Sequence, residues 1–294
     1  MAAALPVCWL DGRYLPLSEP RISPLDRGFL FADGVYEVMP VYAGRPFRFT
    51  SHTARLARSL REIRMADPHT EARWREILGG LIERNGGGDQ SVYWQVTRGA
   101  EEGRNPAPLP EVPRTVFAFC APLQPIPPHI LSEGLTCATA PDIRWLRCDI
   151  KAVGLLPNVL LRQQGLDAGA AETLLLRDGE LTEGTSSAMH VVSTRNGSTE
   201  VVTPPPSGRL LPGTTLSVVE ELAARAGLAY RRRPVQEAEL RDAAEIWISS
   251  ALREVQPVTR LDGRAVGSGR VGPCFQRVRA EFDRYRQELA GTPW

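Results

Sequence analysis

One basic residue of this chain can do chemistry that the others cannot. Lys151 is the only lysine among 35 lysine and arginine residues. A guanidinium stays protonated, whereas an amine can lose its proton and attack a carbonyl carbon. Apolar residues flank Lys151 on both sides, so we expect partial burial, which favours the neutral amine. Lys151 is therefore a candidate nucleophile for Schiff-base formation with an aldehyde.

Two other segments carry groups that a phosphorylated aldehyde cofactor would need. In LTEGTSSAM (181–189), Glu183 stands at a predicted strand end, before a turn of small residues. In LLPGTTLSVVEEL (210–222), residues 213–215 stand at a predicted helix start, where backbone N–H groups, hydroxyls and the helix dipole favour an anion. Pyridoxal phosphate requires a lysine, a carboxylate at its pyridine nitrogen and an anion site. Together the three segments point to that cofactor.

The elements that position these residues are predicted to mix strands and helices without strict βαβ alternation. This pattern favours an α+β fold over a doubly wound sheet. Asp178-Gly179 and Asp262-Gly263 predict tight hairpin turns. Apolar periodicity predicts helices at about 51–65, 71–84, 158–167, 214–226 and 274–289, a hairpin at 7–15, and strands at 36–42, 91–97, 115–120, 135–140 and 245–250.

A proline-rich segment predicts the division of the chain into domains. APLQPIPPH (121–129) has four prolines in nine residues, which resist both helix and sheet. We therefore expect a small N-terminal α/β domain over 1–120, a stiff linker over 121–129, and a larger C-terminal domain over 130–294 that carries Lys151.

Composition and charge are those of an ordinary globular protein. The net charge of +1 gives no support for binding to nucleic acid or to an acidic membrane, and no apolar run of about 18 residues predicts a membrane span. The N-terminus does not resemble a secretion signal. The five cysteines are odd in number and lack CxxC spacing, so we expect reduced thiols, no metal site and a cytoplasmic location.

One motif matches a known pattern but lacks its context. GSGRVG (267–272) has the GxGxxG spacing of dinucleotide-binding proteins. It follows a predicted hairpin, and too little chain follows it for the second strand of a βαβ unit. We interpret it as a loop.

The motifs that carry chemistry belong to a recognisable family pattern. The chain resembles the fold-type IV pyridoxal-phosphate enzymes, and within them the D-amino acid (D-alanine) transaminases. The resemblance covers nearly the whole chain and is carried by DRGFLFADGVYEV (26–38), HTARL (52–56), VYWQVTRG (92–99), DIRWLRCDIK (142–151), DGELTEGTSS (178–187) and LPGTT (211–215).

The resemblance implies a role for each matching residue. Lys151 forms the Schiff base and later moves the proton between the substrate α-carbon and the cofactor. Glu183 keeps the pyridine nitrogen protonated, and Arg55 binds the phosphate. Tyr36 lies on the substrate side. Further cofactor contacts are implied for Ser187, Leu211, Gly213, Thr214, Thr215 and Ser250.

The segment expected to bind the substrate carboxylate departs from the family pattern. D-amino acid transaminases carry an Arg-x-His pair shortly after VTRG, whereas this chain has Gly103-Arg104-Asn105 and no histidine there. Arg104 from a shifted loop, or Arg98, could bind the carboxylate, or the substrate could lack one. Ala188, His190 and Ala251 also differ from the residues usual in the family.

The resemblance predicts pyridoxal-phosphate-dependent transamination of D-amino acids, with a 2-oxo acid such as 2-oxoglutarate or pyruvate as acceptor. It also implies a homodimer in which the neighbouring subunit lines part of each active site. Alternatives within the class are an (R)-selective amine transaminase, a branched-chain L-amino acid transaminase and an aminodeoxychorismate lyase. A non-catalytic protein that binds pyridoxal phosphate is the alternative from another class.

Overall fold

Two separate β-sheets organise the chain. A computed structural model describes residues 3–108, 112–195 and 197–290. These residues form two compact units, one running up to Gln124 and including Ile150–Leu155, the other comprising Pro125–Asp149 and Leu156–Glu288. Each unit has its own sheet and apolar core. The α+β fold predicted from the sequence is confirmed.

The first unit is built on a six-stranded antiparallel sheet in the order β2-β1-β6-β5-β3-β4. Helices α2 and α3 pack against it. Its elements are β1 (Val7–Leu10), β2 (Arg13–Pro16), α1 (Arg27–Phe31), β3 (Gly34–Tyr42), β4 (Arg45–Pro46), α2 (Phe49–Glu62), α3 (Glu71–Arg84), β5 (Gln90–Thr97) and β6 (Thr115–Pro122).

Local sequence explains where helix α3 lies. The Thr70 side chain accepts a hydrogen bond from the Arg73 N–H (3.2 Å) and so caps the first turn. Trp74, Ile77 and Leu81 are buried at helical spacing and pack in the core of this unit. The helix therefore begins and ends where the sequence predicts.

The second unit is built on a nine-stranded mixed sheet. Eight strands follow the order β12-β11-β10-β13-β14-β7-β8-β9, and β15 pairs with β14. Its elements are α4 (Pro128–Glu133), β7 (Leu135–Pro141), α5 (Leu156–Asp167), β8 (Glu172–Arg177), β9 (Glu180–Gly184), β10 (Ala188–Arg195), β11 (Ser198–Thr203), α6 (Thr214–Arg225), β12 (Ala229–Arg232), α7 (Glu237–Arg241), β13 (Glu245–Ser250), β14 (Glu254–Leu261), β15 (Arg264–Ala265) and α8 (Pro273–Ala290). None of the helices in the described residues combines the length and hydropathy needed to cross a bilayer.

The proline-rich segment contains more regular structure than its composition predicts. Strand β6 extends to Pro122, and α4 begins at Pro128 with Pro127 at its N-cap. Proline fits the first turn of a helix because the N–H there needs no acceptor within the helix. The predicted linker thus includes a strand end and a helix start, and the two compact units separate after Gln124.

The segment that carries Lys151 groups with the first unit, although the sequence places it in the C-terminal domain. The Tyr36 N–H donates to the Lys151 carbonyl (2.9 Å), and the Val153 N–H donates to the Gly34 carbonyl (3.0 Å). These backbone bonds join residues 150–155 to strand β3. Hydrogen bonds between segments so far apart in the chain cannot be predicted from the local sequence.

The GSGRVG segment is a loop that leads into helix α8. The buried Glu245 carboxylate accepts hydrogen bonds from the Cys274 N–H (2.9 Å) and the Phe275 N–H (2.8 Å), which stabilises the helix start. A Cβ on Gly272 would lie 2.2 Å from Glu245 Oε1. The last glycine of the motif therefore serves a helix terminus.

We expect Gly99→Ala to destabilise the first unit far more than Gly12→Ala. Both glycines have positive φ, +94° and +95°, but a Cβ on Gly99 would lie 1.9 Å from the Pro113 carbonyl oxygen, whereas one on Gly12 meets nothing within 4 Å. Strain alone costs about 1–2 kcal/mol, and crowding adds about 1–3 kcal/mol for Gly99. Urea denaturation measures both losses. Equal losses in the two variants would contradict the crowding argument.

Candidate active site

Lys151 lies in an irregular segment whose main chain is fixed and whose side chain is half-buried. Its carbonyl accepts from the Tyr36 N–H, and its own N–H donates to Ser59 Oγ (3.3 Å). Its Nζ lies 4.2 Å from the centre of the Tyr36 ring, a distance at which an ammonium group is attracted to an aromatic face. The structure therefore brings together the lysine and the tyrosine that the sequence singles out.

The Tyr36 ring is supported by an aromatic stack on one face of the first sheet. Tyr36 stacks on Tyr93 (5.4 Å between centres), and Tyr93 packs on Phe119 (5.2 Å). Strands β3, β5 and β6 are neighbours, so these residues share one face. Burial raises the pKa of Tyr93, whose hydroxyl donates to Gln95 Oε1 (2.8 Å). The Tyr36 ring is thus held by aromatic packing on this face.

Arg55 is fixed by a buried carboxylate that the sequence analysis did not single out. Arg55 Nε and Nη2 each donate to Glu37 at 2.7 Å, and His52 Nδ1 lies 2.7 Å from Glu37 Oε2. Burial raises the pKa of Glu37, but Arg55 and His52 outweigh it and hold this pKa at about 2. Burial lowers the pKa of His52. Glu37 is therefore anionic and orients the Arg55 guanidinium.

Glu37 could have been found from its position in the sequence. Val35, Glu37 and Met39 alternate along β3 and are fully buried. An acid at an inward strand position needs a cation, and helix α2 buries His52 and Arg55, three residues apart. An acid on the inward face of β3 and an arginine on the buried face of α2 together predict the ion pair between Glu37 and Arg55.

Arg98, one of the two candidates for the substrate carboxylate, is engaged within the first unit. Its Nε and Nη2 donate to Asp33 at 2.7 and 3.0 Å, and Nη2 also donates to the Ile63 carbonyl (2.8 Å). The residue is buried. The sequence could not show that Asp33 occupies this guanidinium, and we do not retain Arg98 as a substrate residue.

Arg104, the other candidate, lies exposed on a loop that a buried arginine fixes. Its guanidinium carbon lies 4.9 Å from the centre of the Phe31 ring. Arg27 donates to the carbonyls of Asn105 (2.5 Å) and Pro106 (2.9 Å), the two residues after Arg104. The loop is thus attached at its backbone, and the Arg104 side chain extends from it.

In the second unit, Glu183 is a buried carboxylate with a donor on each oxygen. Arg144 Nη1 donates to Oε1, and the Leu211 N–H donates to Oε2 (3.1 Å). Burial raises the pKa of Glu183, and the Arg144 charge opposes this rise without cancelling it. The structure therefore brings together Glu183 and Leu211, two residues predicted to contact the cofactor.

Arg144 is itself fixed by a second carboxylate. Its Nε and Nη2 donate to Asp142 at 2.9 Å each, and Nη2 also donates to the Arg209 carbonyl (3.1 Å). Asp142 in turn forms an ion pair with Arg177 (3.0 Å) and accepts a hydrogen bond from Thr182 Oγ1 (3.0 Å). The sequence alone gives no sign of these roles, because the pairing of Arg144 with Asp142 and Glu183 arises only in the folded chain.

Ser187 belongs to a second buried cluster, centred on Glu172. The Glu172 carboxylate accepts from the hydroxyls of Thr185, Ser186 (2.9 Å) and Ser187 (3.0 Å), and from Arg253 Nη1 (3.1 Å). Glu172 is fully buried. It therefore fixes the turn that follows Glu183 and, through Arg253, the turn that follows β13.

The predicted anion-binding residues lie at the start of α6 and the end of β13. Gly213 is the N-cap of α6 and offers no side-chain acceptor for the N–H groups of the first turn. Thr214 and Thr215 form that first turn, and Thr215 is buried. Ser250 is the last residue of β13 and is half-buried. The N-terminus of α6 thus has the groups that favour a phosphate.

His190, which departs from the family pattern, is a core histidine with both ring nitrogens engaged. Nε2 lies 2.8 Å from Ser249 Oγ and Nδ1 lies 2.9 Å from Tyr230 Oη. Burial lowers the pKa of His190 to about 3, so the ring is neutral near neutral pH. Its role is to satisfy polar groups in the second core.

A family model describes most of this chain. The model for amino-transferase class IV matches residues 34–261. That range includes Lys151, Glu183, Arg55 and both turns fixed by Glu172. The chain belongs to the class IV aminotransferases, the family that the sequence resemblance predicted.

Curated relatives cover nearly the full length of the chain. A D-alanine aminotransferase of Bacillus licheniformis is 38% identical over 268 residues, covering 91% of this chain and 93% of the relative. A D-alanine aminotransferase of Staphylococcus aureus (strain MW2) is 34% identical, covering 94% and 96%. The prediction of an aminotransferase with D-alanine aminotransferases among its relatives is confirmed.

Solved structures share the fold. The branched-chain amino acid aminotransferase of Escherichia coli superposes with a TM-score of 0.87 at 21% identity, covering 99% of this chain and 97% of that one. The branched-chain aminotransferase of the archaeon Thermoproteus uzoniensis, solved with norvaline, gives a TM-score of 0.86 at 22% identity, covering 98% and 96%. At this identity the two structures establish the fold alone.

We expect the stability contributed by Glu37 to fall as the pH is lowered from its ordinary pKa of 4.5 to about 2. The folded-state pKa lies below the unfolded one, so the contribution is complete above 4.5 and is lost as the carboxylate becomes protonated in the folded protein. The loss amounts to about 3 kcal/mol at most. Urea denaturation across this range, with wild type and Glu37→Gln, measures it.

The difference in free energy of unfolding between wild type and Glu37→Gln should shrink towards acid pH. Glu76→Gln, at an exposed position on α3, is the control and should show a small difference at every pH. A wild-type advantage over Glu37→Gln that stays constant down to the acid limit would contradict the assignment of an anionic Glu37.

Proposed function

We propose that this aminotransferase transfers amino groups from D-amino acids of the D-alanine type to a 2-oxo acid, with pyridoxal phosphate as cofactor. The observation that carries the proposal is the placement of Lys151, the only lysine, beside strand β3 with its Nζ over the Tyr36 ring. Relatives 32–38% identical over most of the chain are D-alanine aminotransferases, which supports the choice of donor.

The residues present fit pyridoxal phosphate. Glu183 is a buried carboxylate suited to a pyridine nitrogen, and α6 begins with a glycine cap and two threonines. Lys151 would bind the aldehyde carbon, Arg55 the phosphate and Glu183 the ring nitrogen. When bound, the cofactor supplies an electron sink that acidifies the α-proton of the amino donor. The remaining proposed contacts come from Ser187, Leu211, Gly213, Thr214, Thr215 and Ser250.

The residues around Lys151 favour its proposed role of carrying a proton during the reaction. Its Nζ takes the proton from the donor α-carbon as an amine and holds it as an ammonium. The face of the Tyr36 ring stabilises that ammonium by about 0.5–2 kcal/mol. The neighbouring Tyr93 and Phe119 add no charge that would compete for the proton.

Arg55 and Glu183 would each approach the cofactor already oriented. The Glu37 carboxylate fixes the plane of the Arg55 guanidinium, so little conformational entropy is lost when a phosphate oxygen binds. The Leu211 N–H and Arg144 fix the plane of the Glu183 carboxylate in the same way. Such fixed groups favour a single orientation of the cofactor ring.

Arg104 is our candidate for the substrate carboxylate. It is exposed, its loop is attached through Arg27, and stacking on Phe31 orients its guanidinium. Arginine binds carboxylates through two parallel N–H donors. The absence of the family's histidine from residues 103–105 is the sequence feature that keeps an (R)-selective amine transaminase as the second candidate.

We also infer a homodimer that acts in the cytoplasm. Leu156, Val159 and Leu160 of α5 are more than half exposed and occupy one helix face. Large exposed apolar side chains that share a face are typical of subunit interfaces. All five cysteines are free thiols, as a reducing compartment would keep them.

The proposed function predicts which donor converts the holoenzyme. We expect D-alanine to bleach the absorbance near 410–420 nm (approximate, a property of the bound cofactor) faster than L-leucine or (R)-1-phenylethylamine. Lys151→Arg keeps the positive charge but cannot form the covalent bond, and it should slow bleaching about 10³-fold or more. Fastest bleaching by L-leucine would indicate a branched-chain L-amino acid transaminase, and fastest bleaching by the amine an (R)-selective amine transaminase. A colourless wild-type protein would contradict the binding of pyridoxal phosphate.

The substrate role of Arg104 predicts a change in KM. Arg104→Gln should raise the KM for D-alanine about 10- to 100-fold, because a charge-assisted hydrogen bond contributes about 1.5–3 kcal/mol, while kcat changes less. Arg61→Gln, at an exposed position on α2, is the matched control. Steady-state kinetics with D-alanine measure both variants. An unchanged KM in Arg104→Gln, or an equal rise in the control, would remove Arg104 from the substrate site.

A further inference from the structure

We propose that Arg144 is a positioning residue that keeps Glu183 anionic and thereby places the shared proton on the pyridine nitrogen of the bound cofactor. The inference rests on the proposed function, because it concerns the carboxylate that would meet that nitrogen. It assigns a task to a residue that contacts neither the substrate nor the cofactor in the proposed function.

The pairing of Arg144 with Glu183 is buried, so solvent screens it little. The two side chains are 4% and 10% exposed, and Nη1 of the arginine donates directly to Oε1 of the glutamate. An ion pair in such surroundings has a much larger effect on the charge state of its members than one at the surface.

The position of the Arg144 charge is fixed independently of Glu183. Asp142 accepts from Nε and Nη2, and its Oδ1 also accepts from the Arg144 backbone N–H (3.1 Å). The Arg209 carbonyl accepts from Nη2. These bonds use the other edge of the guanidinium, so the edge that carries Nη1 stays directed at Glu183.

Among the described residues, the other titratable groups near Arg144 and Glu183 add no unpaired charge beside Glu183. Asp142 is paired with both Arg144 and Arg177, and its bonds to Arg144 and Thr182 hold the pKa of Asp142 below its ordinary value despite its burial. Burial raises the pKa of Cys148 to about 11, so this thiol stays neutral. Arg144 is therefore the cation whose loss would change the charge felt by Glu183 most directly.

A carboxylate and a pyridine nitrogen can share one proton in two ways. The proton can lie on nitrogen, giving an ion pair, or on the carboxylate oxygen, giving two neutral groups. A guanidinium bonded to the carboxylate stabilises its anionic form and so favours the proton on nitrogen. A ring with a neutral nitrogen withdraws electrons less well, and removal of the donor's α-proton becomes slower.

The test is the protonation state of the ring nitrogen in three holoenzymes. Each is reconstituted with ¹⁵N-labelled pyridoxal phosphate, and the nitrogen chemical shift is measured by NMR. We expect a protonated nitrogen in wild type and a shift towards the unprotonated form in Arg144→Gln. Arg147→Gln is the matched control, since the Arg147 side chain is 44% exposed, pairs with Asp149 and should leave the shift unchanged.

Kinetics give a second readout. D-alanine should bleach Arg144→Gln about 10- to 100-fold more slowly than wild type, an effect of the size of one to two pKa units on the carboxylate. If Arg144 acts through Glu183, adding Arg144→Gln to Glu183→Gln should cause little further slowing. Full additivity in this double variant would overturn the inference.

The outcomes separate this inference from the proposed function. A wild type that takes up no cofactor, or that D-alanine does not bleach, contradicts the proposed function itself. A normal wild type with an unchanged nitrogen shift in Arg144→Gln, or with equal shifts in both arginine variants, overturns only the role of Arg144. If Arg144→Gln fails to fold, Arg144→Met replaces it: this variant also removes the positive charge beside Glu183, so the nitrogen should shift towards the unprotonated form, and an unchanged shift would overturn the inference.

Discussion

A carboxylate can be buried only when a cation or several hydrogen-bond donors compensate its charge, and both units of this protein are organised by that requirement. Glu37 is paired with Arg55, and Glu183 with Arg144. Glu172 accepts from three hydroxyls and from Arg253. Glu37 and Glu172 each fix a residue or a turn that the proposed function assigns to the cofactor, and Glu183 is itself such a residue. The buried charges therefore determine, within each unit, the orientation and the electrostatics of the groups proposed to bind the cofactor.

The use of arginine for nearly all basic positions makes this arrangement possible. A guanidinium remains charged when buried and presents donors along two edges, so one side chain can bind a structural carboxylate and a second acceptor. Arg144 does this with Asp142 and Glu183. The amine of Lys151 serves a different purpose, because it can change its protonation state and form a covalent bond. A backbone hydrogen bond to β3 fixes the main chain of Lys151, and its ammonium group lies over the Tyr36 ring.

Local features of the fold follow from the sequence, and features that depend on distant pairing do not. Helix α3 begins at its predicted cap, and strand β13 has its predicted bounds, because a capping threonine and a run of apolar residues are local signals. The start of α4 within the proline-rich segment was missed, since proline both breaks helices and favours their first turn. The grouping of residues 150–155 with the first unit depends on bonds to β3, a strand far away in the sequence.

The same distinction applies to the candidate site. Lys151 was predicted from a count of residue types, and Glu183 from its place before a turn of small residues. Arg144 and Glu172 were not, because a charged residue reveals its partner only once the chain is folded. Arg98 illustrates the same limit, since the sequence offered it as an alternative to Arg104 for the substrate carboxylate, and in the folded chain Asp33 engages it.

The residues proposed to bind the cofactor differ in burial from the residue proposed to bind the substrate carboxylate. Glu183, Arg55 and Ser187 are buried and hydrogen-bonded, so a substitution at any of them disturbs a core as well as a contact. Arg104 is exposed on a loop that Arg27 attaches through backbone carbonyls, which do not depend on side-chain identity. The loop can therefore change its side chains at little cost to folding. Donor selectivity can vary in this architecture while the groups that bind the cofactor stay fixed.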